Sequence, residues 1–165
     1  MKNSKAVNCV LYSNKITGFL VNLGFPSGKK RSGNPEFLTT FFYNKELCKA
    51  CLRGLADTDG SICGHPNSKI MLNISITSKS LLNSCLKAFR QLNIPVGSYS
   101  KGINIYGKDK LNLYFKMIGS SNTKHIYKYK TFLLEDKVPN TKQTEDFLKS
   151  GKNFTAKLPY FGPMV

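Results

Sequence analysis

Leu52-Arg53-Gly54-Leu55-Ala56-Asp57-Thr58-Asp59-Gly60-Ser61 is the stretch on which the reading of this chain turns. It closes an apolar stripe in which Leu47, Cys48, Cys51, Leu52 and Leu55 recur at helical spacing. Asn44 can cap that helix, predicted over 45–58, and Glu46 falls in its favourable first turn. Asp57 and Asp59 then stand in the last turn, where the partial negative charge of a helix C-terminus disfavours anions by roughly 0.3–1 kcal/mol each. Gly60 is expected to supply a left-handed cap. Gly54, inside the helix, costs about 1 kcal/mol against Ala, which a close helix–helix approach can offset. The helix therefore reads as built to pack tightly on something and to present carboxylates from its end. A hard divalent cation, which takes oxygen ligands, would explain those acids. An aspartate turn at a helix end is the alternative.

Working outward, 69–77 alternates cleanly. Ile70, Leu72, Ile74 and Ile76 point one way, and Lys69, Met71, Asn73, Ser75 and Thr77 the other. A turn at 64–68 leads back to a partner strand over 61–65. A helix over 79–93 carries Leu81, Leu82, Cys85, Leu86, Phe89 and Leu92, and Pro95 closes it. A second hairpin over 96–106 turns near Lys101-Gly102, with Ile103 and Ile105 inward and Asn104 and Tyr106 outward. Helices follow over 108–119, about 124–134 and 142–150. Before the quoted stretch, 13–24 reads as a short amphipathic helix stopped by Gly24. A loop follows that holds Pro26, Gly28, Gly33 and Pro35. From residue 45 the order is αββαββα. The fold class is α+β, a four-stranded antiparallel sheet with helices on one face and a polar, basic, open face opposite. The organisation is an N-terminal helix and basic loop over 1–44, a core domain over 45–135 and a C-terminal extension over 136–165.

The chain has 165 residues and carries 25 Lys and Arg against 9 acids, a net +16. Such an excess repels itself and calls for an anionic partner. Nucleic acid comes first, because phosphates reward clustered cations through counterion release. A membrane span is excluded, since no stretch approaches the ~20 apolar residues it needs. A membrane-surface helix is disfavoured, because the cations are scattered over loops and strands. The N-terminus Met1-Lys2-Asn3-Ser4-Lys5 is followed by no long apolar segment, so an intracellular location is expected. The five cysteines are an odd count and argue against a disulfide framework. Cys48 and Cys51, with Cys63 and His65, fit either zinc ligation or, for the helical pair, core packing. The run Lys29-Lys30-Arg31 is either a phosphate-contacting loop or a solvated charge run.

Residues 52–60 resemble the LAGLIDADG signature of homing endonucleases. They match at Leu52, Gly54, Leu55, Asp57, Asp59 and Gly60 and depart at Arg53, Ala56 and Thr58. The αββαββα order, the strand start at Ser61-Ile62 and the junction from Ile74 through Ser75, Ile76, Thr77, Ser78 and Lys79 to Ser80 resemble this family too. The resemblance covers about 45–135. Residues 10–45, with Gly28, Lys30 and Pro35, resemble the stretch before the second motif of two-motif members.

The resemblance implies a homing-endonuclease fold with a saddle-shaped sheet in each subunit. With a single motif it implies a homodimer whose two motif helices pack side by side, placing Gly54 at the seam and Leu52 and Leu55 in it or in the core beneath. It implies that Asp59 is the metal ligand, joined by the carbonyl of Thr58, with Mg²⁺ or Mn²⁺ as cofactor, and that Asp57 shapes the helix end. Ser75, Lys79 and Lys128 match a peripheral pocket that orders water, with Lys130 competing for the role of Lys128. Lys69, Met71, Asn73, Ser75, Tyr99, Lys101, Asn104 and Tyr106 become candidates for major-groove readout, and Lys29, Lys30 and Arg31 for phosphate contact. The implied activity is metal-dependent cleavage of a long double-stranded DNA site across the minor groove, leaving four-base 3′ overhangs, by an intron-encoded enzyme. Three alternatives stay open: a maturase that assists splicing of intron RNA, a non-catalytic DNA-binding regulator, and half of a split enzyme.

Overall fold

The computed structural model describes residues 12–22 and 39–151. The chain divides into two compact units, Met1–Gly33 and Asn34–Val165. In the first, α1 spans Asn14–Asn22. Ser13 starts it, its hydroxyl accepting from the Ile16 amide and its carbonyl from the Thr17 amide. Ile16, Phe19 and Val21 are exposed on α1.

The second unit runs α2 (Thr39–Tyr43), α3 (Lys45–Asp59), β1 (Gly60–His65), β2 (Lys69–Ser75), α4 (Lys79–Gln91), β3 (Gly97–Tyr99), β4 (Gly102–Tyr106), α5 (Lys108–Met117), α6 (Thr123–Glu135) and α7 (Thr141–Lys149). From α3 to α5 this is the predicted αββαββα order. Polar caps set the helix starts. Asn44 Oδ1 accepts from the amides of Glu46 and Leu47, Ser78 caps α4, Asn122 caps α6, and Asn140 and Gln143 form a capping box on α7. The short helix α2 was not foreseen. It packs on α3, and α7 packs on α6.

The sheet has the order β1-β2-β4-β3, and every pair is antiparallel. Alternation along the strands sends Ile62, Ile70, Leu72, Ile74, Ile103 and Ile105 into the core. There they meet Cys48, Leu52 and Ala56 of α3, Cys85, Ala88 and Phe89 of α4, and Leu111, Tyr114 and Phe115 of α5. Each such aliphatic side chain contributes roughly 1.5–3 kcal/mol on burial. Phe115 stacks on Tyr129 of α6 with ring centroids 3.8 Å apart.

Two expectations are corrected here. Gly60 does not cap α3 in a left-handed conformation. Its φ of −90° and ψ of 159° are extended, because β1 begins there at once. Glycine is needed for closeness instead: a Cβ would lie 2.1 Å from the Ala56 carbonyl oxygen. The open sheet face, in turn, is polar but scarcely basic. Lys69 is the only cation within the four strands, and its ammonium is paired with Asp136.

Candidate functional site

The two aspartates at the end of α3 have different surroundings. Asp57 is largely enclosed, its side chain 16% exposed. Its carboxylate accepts hydrogen bonds from the Ser120 hydroxyl and, at 2.8 Å, from the Ser121 amide. Its carbonyl accepts from Asn122 Nδ2 at 2.8 Å. The turn that starts α6 is thus fastened to the end of α3, and this agrees with the structural role assigned to Asp57. Asp59 is exposed, and the hydrogen bond it receives among the described residues comes from the Thr58 hydroxyl at 3.0 Å. That hydroxyl also lies 3.0 Å from the Gly54 carbonyl, the usual back-bond of a helical threonine.

β1 is an edge strand, and α6 covers that edge with two side chains. His125 Nε2 lies 3.2 Å from the Gly60 carbonyl, and Lys128 Nζ donates to the Ile62 carbonyl at 3.0 Å. Gly60 and Ile62 are two apart on a strand, and His125 and Lys128 are three apart on a helix, so the two pairs match in spacing. Edge carbonyls satisfied in this way cannot recruit another strand. A carbonyl only accepts, so His125 Nε2 carries a proton. Burial pushes the imidazole below its ordinary pKa; the Gly60 carbonyl and Asp57 oppose this, and Lys128 adds to it. Burial also lowers the Lys128 ammonium, with Cys63 opposing and Lys124 adding. Lys130 lies two residues further round α6 and so faces another side of the helix.

Ile74 is the register partner of Gly60, which brings Ser75 beside the α3–β1 junction. Asp59 and Ser75 therefore share one end of the sheet, and Lys128 stands further in along the edge. Ser75 is exposed, with its hydroxyl 3.4 Å from Asn73 Oδ1. Lys79 is the exposed first residue of α4. Neither Lys79 nor Lys128 forms an ion pair with Asp59 among the described residues.

The open sheet face carries a ladder of neutral hydrogen-bonding groups. Asn73 Nδ2 donates to Tyr99 Oη at 3.0 Å and to Asn104 Oδ1 at 2.6 Å, and Asn104 Nδ2 donates to Tyr106 Oη at 2.7 Å. Met71 is the register partner of Tyr106 on the same face. Lys101 is exposed in the turn between β3 and β4. The structure thus gathers Met71, Asn73, Ser75, Tyr99, Asn104 and Tyr106 on one surface, with Lys69 and Lys101 at its margins. Lys29, Lys30 and Arg31 lie outside the described residues.

On α3, Leu52 is fully buried, so it belongs to the core and not to a seam with a second chain. Among the described residues of this unit, the side of the helix away from the core is more open. Leu47 is 45% exposed and a Cβ added at Gly54 would meet nothing within 4 Å, while Cys51 and Leu55 are half-buried, Leu55 against the core. The close approach that Gly54 suggests is therefore not made by the described residues of the unit that contains it. Burial raises the thiols of Cys48 and Cys51, and carries that of Cys85 to about 12, helped by Cys51 and Cys48. Among the described residues no group of three or more His, Cys, Asp or Glu is placed to hold a metal ion.

Asp57 is engaged by the 120–122 turn, whereas the Asp59 carboxylate is exposed and among the described residues accepts from the Thr58 hydroxyl. One carboxylate and one carbonyl fall short of the six or so oxygens that a divalent ion takes. A carboxylate and a carbonyl are oxygen donors of the kind a hard cation takes, and the remaining ligands would come from outside the chain.

The sequence reading missed His125, Ser120 and Asn122. Their contacts with the α3–β1 junction span 63 to 65 residues of chain, and the only local hint is that His125 lies three before Lys128. A family model described as a LAGLIDADG-like domain matches residues 46–131. No match was found among curated proteins or among solved structures. No helix among the described residues is long and apolar enough to cross a membrane.

Proposed function

Because the chain belongs to the LAGLIDADG family, whose members generally bind DNA, we propose that it is a site-specific double-stranded DNA endonuclease acting as a homodimer. The observation that carries this reading is Asp59, an exposed carboxylate at the end of a helix whose neighbouring side is apolar, glycine-containing and open among the described residues. A two-fold axis beside Gly54 lays two copies of α3 together and brings their Asp59 carboxylates to one place. Such carboxylates repel unless cations lie between them. Asp59 and the Thr58 carbonyl of each chain would hold Mg²⁺ or Mn²⁺, which when bound supplies Lewis-acid polarisation of the phosphate and a water of lowered pKa.

The remaining work falls to the protein's own side chains. Lys128, fixed on the Ile62 carbonyl, holds a positive charge near the scissile phosphates. Lys79 and Ser75 order water at the rim. The Asn73, Tyr99, Asn104 and Tyr106 ladder, with Met71, faces base edges in the major groove. Lys69, Lys101, Lys29, Lys30 and Arg31 meet phosphates and set the register. Cleavage falls across the minor groove, leaving four-base 3′ overhangs in the intron-less form of a host gene.

The test incubates the protein with a plasmid carrying that intron-less sequence, with Mg²⁺, with Mn²⁺ and with EDTA, beside Asp59→Asn. Metal-dependent linearisation that Asp59→Asn abolishes is expected. Binding without cutting in every metal would move the chain to a DNA-binding regulator, and splicing of the intron RNA by the same protein would move it to a maturase.

A further inference from the structure

Asp59 must be held in place although little touches its side chain. Its chain neighbours are held instead. On one side, Asp57 is fastened through both carboxylate oxygens and its carbonyl to Ser120, Ser121 and Asn122. On the other, the Gly60 carbonyl lies 3.2 Å from His125 Nε2. The same imidazole presents Nδ1 toward Asp57, 3.9 Å from its Oδ1. His125 is thus the one described side chain that faces both residues bracketing Thr58 and Asp59, and it is itself 5% exposed. Edge protection does not account for it fully. Lys128 shows that a flexible ammonium satisfies an edge carbonyl, whereas at Gly60 the chain uses a planar, buried ring.

We propose that His125 is a positioning residue for Asp59, fixing the α3–β1 junction through the Gly60 carbonyl so that the Asp59 carboxylate is presented in one orientation. The inference rests on the nuclease reading for its consequence, but its structural half stands apart from it. A carboxylate displaced by a fraction of an ångström still leaves the DNA-binding surface intact, so the defect belongs in metal use and chemistry and not in DNA affinity.

Two amide variants separate the two faces of the ring. Gln places its amide nitrogen where Nε2 stands, toward Gly60, and Asn places its own where Nδ1 stands, toward Asp57. His125→Asn therefore loses the Gly60 contact and His125→Gln keeps it. In single-turnover cleavage, His125→Asn should fall roughly tenfold to a hundredfold, as misplaced catalytic groups do, and need more Mg²⁺ for half-maximal rate. His125→Gln should recover most of both, and DNA affinity in EDTA should match wild type for both variants. Independently of cleavage, amide hydrogen exchange over 58–61 should quicken in His125→Asn and return toward wild type in His125→Gln. Equal rates, metal dependence and exchange in both variants would overturn the proposal. So would a parallel loss of DNA affinity and rate that Gln does not rescue, since that marks a general structural role. If the wild type does not cut DNA, the nuclease reading fails alone, and the exchange data still decide whether His125 fixes the junction.

Discussion

The two sides of α3 answer different demands. On the closed side Cys48, Leu52 and Ala56 are buried under the sheet and α4, and Asp57 is fastened to the turn before α6. On the open side Leu47 and Gly54 are exposed, Cys51 and Leu55 are half-buried at its margin, and no described residue comes within 4 Å of a Cβ at Gly54. One helix thus carries two apolar sides, of which the described residues of its unit cover one. The difference teaches that hydrophobic pattern alone marks what is to be buried, not by whom. Substitutions on the two sides should therefore report to different instruments, the closed side to stability and the open side to association.

The largest effect is expected from Leu52→Ala, which leaves a cavity in the closed side and should cost about 2–5 kcal/mol in urea unfolding. Leu47→Ala, measured at a concentration where the chain is monomeric, should change stability by less than about 0.5 kcal/mol. Equal costs at the two positions would erase the distinction between the sides.

Next in size is Asp57→Ala. It strands the Ser120 hydroxyl and the Ser121 amide, and hydrogen bonds to a charged group are worth about 1.5–3 kcal/mol. A loss of that order in urea unfolding is expected, while Asp59→Asn, at an exposed carboxylate, should leave the unfolding midpoint nearly unmoved. The reverse ranking would mean that the enclosed and exposed acids had been assigned the wrong way round.

Much of this division was legible in the residues. Asn44 and Glu46 announced the start of α3, and the strict alternation of Ile70, Leu72, Ile74 and Ile76 announced β2 and its inward face. Their causes are local, a cap and a period of two. The stripe of Leu47, Cys48, Cys51, Leu52 and Leu55 was read as one face, and the structure splits it into two, because angular position on a helix does not say where neighbouring elements stop. α2 escaped notice because Thr39-Thr40-Phe41-Phe42-Tyr43 is β-branched and aromatic, a composition that favours strands. Gly60 was given a left-handed cap because a glycine after a helix serves either a positive φ or a close approach, and only the Ala56 carbonyl 2.1 Å from its absent Cβ distinguishes them. At the site, Asp59 and Lys128 came from a resemblance. His125 did not, since its partners Gly60 and Asp57 lie more than sixty residues away and no periodicity encodes that pairing.

Gly54→Ala sharpens the comparison with a change of sign. With nothing within 4 Å of the new Cβ, the isolated chain should gain about 0.8–1 kcal/mol from helix propensity. The same methyl placed in a close helix–helix seam should push the two chains apart. The expected result is a higher urea midpoint for the monomer together with a weaker dimer in sedimentation equilibrium. A variant that is stabilised and still dimerises as tightly as wild type would remove Gly54 from the interface and leave the open side without its proposed occupant.

The smallest effect tests the closed side at its lower end. Burial is the main reason that the His125 pKa lies below its ordinary value in the folded chain, although the Gly60 carbonyl and Asp57 pull the other way. The unfolded chain titrates near the ordinary imidazole pKa of about 6.5. As the pH falls below that value the unfolded state takes up a proton that the native state refuses, so stability falls as pH falls toward the folded pKa. Above the unfolded value the contribution is fully present. His125→Gln keeps the Gly60 contact and has no such proton. The gap in melting temperature between wild type and His125→Gln should therefore shift against the wild type between pH 7.5 and pH 5, with titrating groups remote from residue 125 cancelling in the difference. A shift in favour of the wild type over the same interval would mean that Asp57, 3.9 Å away, stabilises the imidazolium more than burial penalises it. The closed side would then hold an ion pair at the junction instead of a neutral ring.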